Sequence, residues 1–402
     1  RMPQYLTAEE AAEELDIAKN TLYAYVSRGL VRSELADTSR RTRRYRADDV
    51  RRLKRKNEHK QDPATAAQTA LDWGLPVMES ALTLIEEGRF YYRGHDACRL
   101  AQTHALEEVA PLLWNTPAAR IDLASVDLPI DPASGRDGDS TLDHVQALLP
   151  RAAATDDRAY DLSGHGITQT GMRLLALLAA LVEGPSGPVR TEPVAERLRR
   201  AWDVEVEGAR DLLNTVLVLS ADHGLNVTAF AVRCVASAGT TPYGAVNAGL
   251  SALRGRRHTG NTARIQALLR EAGSPDAFRD TVAHRLRRGD TGPGFGHRLY
   301  PDGDPRAALI VERLQAVVPH TAGTAFATAA AEVGPKLLDR PPALDFAIVA
   351  LGRALNLPRE APLTLFALGR LVGWTGHMIE QYEAEQVIRP RAQYVGPPPE
   401  DE

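Results

Sequence analysis

Three long apolar stretches with helical spacing constrain this 402-residue chain more than any other feature in it. They are GMRLLALLAALVEG (171–184), EGARDLLNTVLVLSADHGL (207–225) and TLFALGRLVGWTGHMIEQYEAE (364–385). Apolar residues recur in each at intervals of three and four, which puts them on one face of an α-helix. Helices this apolar must bury themselves against one another. No convincing series of alternating strands accompanies them. The body from about Thr168 to Ala384 is therefore expected to be all-α. The abundance of Ala, Leu and Arg favours helix in the same direction.

Charge divides the chain differently. The net charge is −4, yet residues 1–60 hold 15 Lys and Arg against 10 Asp and Glu. The rest of the chain carries 33 against 42, so a small basic module precedes an acidic body. In that module YLTAEEAAEEL opens with Thr7 and Glu10 at capping-box spacing. NTLYAYVSRGL follows, with Gly29 as its stop. Two short helices with a tight break at Asp16–Lys19 read as a helix-turn-helix. The arginines of Arg40–Arg46 then form a hairpin or wing, followed by a helix starting near Asp48. Residues 4–56 resemble the helix-turn-helix of MerR-type and excisionase-type DNA-binding domains. The resemblance implies a second helix, roughly Lys19–Ser27, in the major groove. Asn20, Thr21 and Tyr23 would read bases, and the wing residues Arg41, Arg43 and Arg44 would contact phosphates. Ala18 stands where a capping Ser or Thr is common. A protein-binding helical module with a solvated basic face is the alternative.

The two cysteines, Cys98 and Cys234, lie far apart, which suits a reducing cytoplasm better than a disulfide framework. No signal peptide and no membrane-spanning run is read, nor any metal-ligand spacing, so no metal and no cofactor are expected. Residues 61–74 read as a linker, 131–140 as a polar loop and 397–402 as a Pro-rich acidic tail.

Chemistry-bearing residues cluster through the acidic body. ADHGLN carries His223, and GRRHTGN carries His258. GPGFGHRLYPDGDPR (292–306) joins four glycines to His297 and Arg306. Asp345 sits alone among apolar neighbours, and Arg370 and His377 share one helical stretch. Arg389 and Arg391 follow it. Taken singly, each has an ordinary structural use. Arg370 could be a snorkelling cation, Asp345 a helix cap, and Trp374 and Met378 core.

Their order changes the reading. MESALTLIEEGRFYYRGHD (78–96), LEEVAPLLWN, LSADHGLNVTAF, GFGHRLYPDGDPRA, LDFA, GRLVGWTGHMIEQ and RPRAQYVG resemble, in sequence, the segments of the citrate synthase family. The resemblance spans about residues 75–396. It implies a large helical domain, a smaller mobile helical subdomain near 260–345, and closure between them. It also implies condensation of acetyl-CoA with oxaloacetate to citrate and CoA, the entry step of the tricarboxylic acid cycle. Asp345 would be the base, His258 the donor to the thioester oxygen and His297 the donor to the ketone. His223, Arg306, Arg370 and Arg389 would bind oxaloacetate, with Arg389 given across a homodimer interface. Gly292, Gly294, Phe295, Gly296 and Arg298 would meet CoA, the glycines by exposing backbone.

The chain also departs from the family. His-Gly-Gly-Ala-Asn-Glu is the family's usual run at the first catalytic His; here it is HTGNTA. Thr259 replaces a Gly, and Thr262 and Ala263 replace the Asn and Glu. Pro301 stands where a basic residue is common, and Arg256 and Arg257 are candidates to replace its contact with CoA phosphate. The stretch 116–165 matches poorly. Two alternatives follow: a metabolite-sensing DNA-binding regulator on a degenerate enzyme fold, and a 2-methylcitrate synthase using propionyl-CoA.

Overall fold

The computed structural model describes residues 5–37, 40–47, 49–50, 53–54, 78–118, 123, 126–134, 140–184, 192–256, 260–392 and 394–397. The chain divides into two compact units, Arg1–Glu79 and Ser80–Glu402.

In the first unit Thr7 caps α1 (Ala8–Glu14). Its hydroxyl accepts from the Glu10 amide, and the Glu10 carboxylate accepts from the Thr7 amide at 2.8 Å. Asp16 turns the chain with a φ of 51°. The second helix, α2, runs Lys19–Ser27, the span read from sequence, and Ala18 leaves its N-terminus without a side-chain cap. The wing is real: β2 (Ser33–Asp37) and β3 (Arg40–Arg46) pair antiparallel. Asp48 lies outside the described residues, while 47, 49–50 and 53–54 are helical. A third strand, β1 (Tyr5–Leu6), pairs with β3 and had no expectation attached. It sets Leu6 opposite Tyr45, and both join Leu15, Leu22 and Val31 in one small core.

The second unit is helical apart from one small sheet. Strands β4 (Thr83–Glu86), β5 (Arg89–Tyr92) and β6 (His95–Asp96) form an antiparallel meander. Its first turn is Glu87-Gly88, both at positive φ, as a tight hairpin requires. These strands are two to four residues long, too short for alternation to register in sequence. They matter because Phe90 and Tyr92 alternate inward and are buried.

Fourteen α-helices of the described residues, with one π-helical turn at Gly334–Leu338, supply most of the other regular structure. They are α3 (Ala97–Thr103), α4 (Leu106–Leu113), α5 (Thr141–Thr155), α6 (Gly164–Glu183), α7 (Val194–Ala201), α8 (Ala209–Ser220) and α9 (Val227–Ala236). Then come α10 (Pro242–Leu253), α11 (Gly260–Ala272), α12 (Phe278–Arg287), α13 (Pro305–Val317), α14 (Ala322–Val333), α15 (Leu344–Ala354) and α16 (Ala361–Glu383). The three apolar stretches of the sequence became α6, α8 and α16. By length and composition α6 could cross a membrane, contrary to the sequence reading, but 78% of its apolar window is buried inside this unit.

The axis of the unit is α16, against which α6, α8 and α9 pack. Two glycines let it approach α8 closely. A Cβ on Gly369 would lie 2.3 Å from the Leu217 carbonyl, and one on Gly373 would lie 2.1 Å from the Ala221 carbonyl. Between them Arg370 reaches the end of α8, where its Nε donates to the Ser220 carbonyl at 2.8 Å. Gly373→Ala must force the two backbones apart. It is expected to lower stability by about 1–3 kcal/mol, read as a fall in the urea midpoint, and to impair any function that needs Arg370 in place.

Candidate active site

The loop 292–304 is laced to the start of α15. Gly296 donates its amide to the Pro341 carbonyl, and Ala343 donates to the Gly294 carbonyl, both at 2.8 Å. Asp304 caps α13, takes the Nε–Nη2 edge of Arg306 at 2.9 and 2.8 Å, and accepts the Leu344 amide at 3.0 Å. One carboxylate therefore holds an arginine and the first turn of α15. Asp345 occupies that first turn, partly exposed, where the helix dipole favours negative charge. Burial alone would raise the Asp304 carboxyl, but the Arg306 guanidinium and the Leu344 amide hold it below its usual range.

His297 and His223 meet edge to face, their ring centroids 5.1 Å apart. His297 Nδ1 accepts from the Leu299 amide at 3.2 Å. A neutral ring in that bond carries its proton on Nε2, so Nε2 is the donor. His223 Nε2 lies 2.8 Å from the Tyr300 hydroxyl. Burial pushes the Tyr300 hydroxyl up, so it stays protonated. Burial, then the cations Arg306 and, for His223, Arg370, lower both imidazoles, His223 well below its usual value. Both rings are neutral at neutral pH and act as hydrogen-bond donors rather than cations.

Arg306 lies near the faces of Tyr300 and Phe90, 5.4 and 5.9 Å from their centroids. Arg370 is 1% exposed, and its Nη1 has no hydrogen-bond partner among the described residues. Asp345 is close enough to influence both His297 and Arg370 electrostatically. A ring pair, two buried guanidinia and a carboxylate thus converge from five segments of the chain. A small dianion with a polar carbonyl fits that set.

The other expected residues fall out differently. His258 lies outside the described residues, as do Arg257 and Thr259. Arg389 and Arg391 are exposed in the segment after α16, and among the described residues no contact ties Arg389 to the cluster. Arg256 and Arg298 are exposed. The glycines of this loop also serve packing. A Cβ on Gly292 would meet Leu338, on Gly294 Ile265, and on Gly296 Arg340, each within 2.8 Å. Gly294 and Gly296 also have φ of +82° and +78°. These glycines are required first by packing within the protein, and Phe295 is buried against Phe346. Two backbone groups of this stretch, the Gly296 amide and the Gly294 carbonyl, are paired within the protein. In the first unit Tyr23 is 49% exposed on α2, Asn20 is exposed and Thr21 partly so. Arg43 and Arg44 are exposed on β3, while the Arg41 side chain lies outside the described residues.

Sequence reasoning missed the supporting residues. Asp222, fully buried, accepts from Thr83 and lies 3.2 Å from His377 Nε2. Tyr92 donates to the Val218 carbonyl and accepts the Asp222 amide. This tyrosine, from the stretch 78–96 that carries part of the family resemblance, is the strut beneath Asp222. Burial would raise the Asp222 carboxyl, but His377, Arg370 and Thr83 win and lower it from 3.8 to about 2. A carboxyl depressed on folding stabilises the fold above its unfolded value and loses that contribution as pH falls through the folded one. About 2 kcal/mol of stability is therefore expected to disappear between roughly pH 4 and 2. Urea unfolding across that window checks it, and Asp222→Asn should flatten the slope.

The family described as "Citrate synthase, C-terminal domain" matches residues 136–391, and "Helix-turn-helix domain" matches 5–58. Citrate synthase from Haloferax volcanii is 29% identical over 359 residues, covering 80% of this chain and 94% of that protein. The crystal structure of citrate synthase from Thermotoga maritima superposes with a TM-score of 0.69 at 27% identity, covering 82% of this chain and 96% of the other. A ternary complex of carboxymethyl coenzyme A and oxaloacetate with citrate synthase from Thermoplasma acidophilum shares the fold, with a TM-score of 0.70 at 23% identity over 83% of this chain and 97% of that one.

Proposed function

The chain belongs to the citrate synthase family, and on that premise we propose that the cluster around Asp345 joins acetyl-CoA to oxaloacetate. The Asp345 carboxylate takes a proton from the acetyl methyl group, and His258 donates to the thioester oxygen where charge develops. The methyl carbon then attacks the ketone carbon of oxaloacetate. His297 Nε2–H, the donor its Leu299 contact leaves available, gives a proton to the ketone oxygen. Water cleaves the citryl thioester and releases the CoA thiol. Each well-placed donor to a developing oxyanion is worth roughly 3–4 kcal/mol of barrier. Arg306, Arg370 and His223 hold the carboxylates, and Arg389 of the partner subunit completes the clamp in a homodimer. Closure of a small subdomain near 260–345 excludes water before proton transfer. Gly292, Gly294, Phe295, Gly296 and Arg298 belong to the wall CoA approaches.

The single observation carrying this reading is the buried Arg370, whose Nη1 has no hydrogen-bond partner among the described residues and whose guanidinium feels the Asp345 charge. The test mixes protein, acetyl-CoA and oxaloacetate and follows free thiol. Thiol at a rate matched by an Asp345→Ala control would overturn it. Propionyl-CoA run beside acetyl-CoA decides the methylcitrate question, since one methylene is worth only about 1–3 kcal/mol.

A second activity is proposed for the first unit, favoured by its helix-turn-helix match and the exposed Tyr23 on α2. DNA binds through Asn20, Thr21 and Tyr23, with Arg41, Arg43 and Arg44 on phosphates. A mobility shift on the upstream DNA, repeated with oxaloacetate, citrate or CoA, tests binding and its coupling to metabolites. No shift at low salt would end this proposal, because phosphate contacts are strongest there.

A further inference from the structure

We propose that Asn261 is a positioning residue for Asp345, a role that rests on Asp345 being the base. Asn261 lies in the first turn of α11 and donates its side-chain amide to Asp345 Oδ2 at 2.9 Å. In the family's usual run this place holds Ala, and the amide stands one residue later, where this chain has Thr262. The loop that lost its Asn and Glu has an amide one step earlier, and that amide reaches the base itself.

The surroundings make the contact a fixed one. Helices α11 and α15 pack together. Ile265 and Phe346, one from each, close on Gly294 of the His297 loop. The two first turns are therefore held in register by packing, and the amide acts within a rigid frame. An Asp carboxyl has a broad terminal torsion of its own. A donor that claims Oδ2 stops that rotation and leaves Oδ1 as the atom that takes the methyl proton. Asn261 touches neither substrate nor reacting carbon; it sets the direction of the oxygen that does. It also stands three residues after His258, so one short segment carries the thioester donor and the brace for the base.

Asn261→Ala and the near-isosteric, uncharged Asn261→Leu are compared with the full-length wild type by thiol release, using acetyl-CoA and its trideuterated form. Removing the brace should slow proton abstraction alone. In both variants kcat should fall about tenfold or more, since small misplacements cost heavily. The primary deuterium isotope effect should rise, while KM for oxaloacetate and the melting temperature stay as in the wild type. Wild-type kcat and isotope effect in Asn261→Ala would overturn the inference. So would a loss of rate with an unchanged isotope effect and a lowered melting temperature, which marks a purely structural bond. If the wild type itself releases no thiol, the catalytic reading falls separately. The carboxyl 13C resonance of Asp345, assigned by its loss in Asp345→Asn, then decides: it should move in Asn261→Ala, and an unmoved resonance refutes the brace.

Discussion

Asp345→Ala is expected to lower kcat by about 10²–10⁴, the usual range for removing a positioned general base. KM for oxaloacetate should change little. The reason lies in what the residue does not do. It makes no ion pair among the described residues; its one side-chain hydrogen bond is accepted from Asn261. It caps nothing, for the N-cap of α15 is Ala343, and the helix end is held by Asp304 through the Leu344 amide. Its contribution to stability is that of an acid in a first helical turn, about 0.3–1 kcal/mol. A melting temperature near that of the wild type beside a collapse of thiol release is therefore the expected pair of results. A large drop in melting temperature would instead return Asp345 to the helix-capping role that its sequence context also allowed.

What the sequence revealed, and what it hid, follows from range. Local signals survived: the Thr7–Glu10 box, the span of α2, the wing and the three apolar helices all depend on residues within a few positions of one another. The arrival of His223, His297, Arg306, Asp345 and Arg370 in family order also pointed to one site. The parts that hold the site were not legible. Asp304 meets Leu344 across 40 residues, Asn261 meets Asp345 across 84, and Tyr92 meets Asp222 across 130. No periodicity records such pairs. The packing around the glycines of 292–296 was hidden for a related reason. Their need for space was plain, but the atoms filling that space come from Ile265, Leu338 and Arg340, remote in sequence.

Arg370→Met should separate binding from folding. The guanidinium is buried, its Nε is bonded to the Ser220 carbonyl, and its Nη1 has no hydrogen-bond partner among the described residues. Burial lowers its pKa, and Asp222 opposes that only in part. A cation whose charge the fold disfavours weakens the free protein; the attraction that offsets this comes when an anion arrives. Replacing it with an apolar chain of similar length should leave the free protein as stable as before, or more so. The same change removes one arm of the carboxylate clamp, and losing a buried charged partner costs about 2–5 kcal/mol of binding. At roughly 1.4 kcal/mol per decade, KM for oxaloacetate should rise about 30-fold or more. Thermal melting with and without oxaloacetate reads both effects at once. The wild type should gain stability from the ligand, and Arg370→Met should begin at an equal or higher temperature and gain almost nothing. A variant that melts well below the wild type, yet is still stabilised by oxaloacetate, would make Arg370 a prop between α8 and α16 and leave the clamp to other residues.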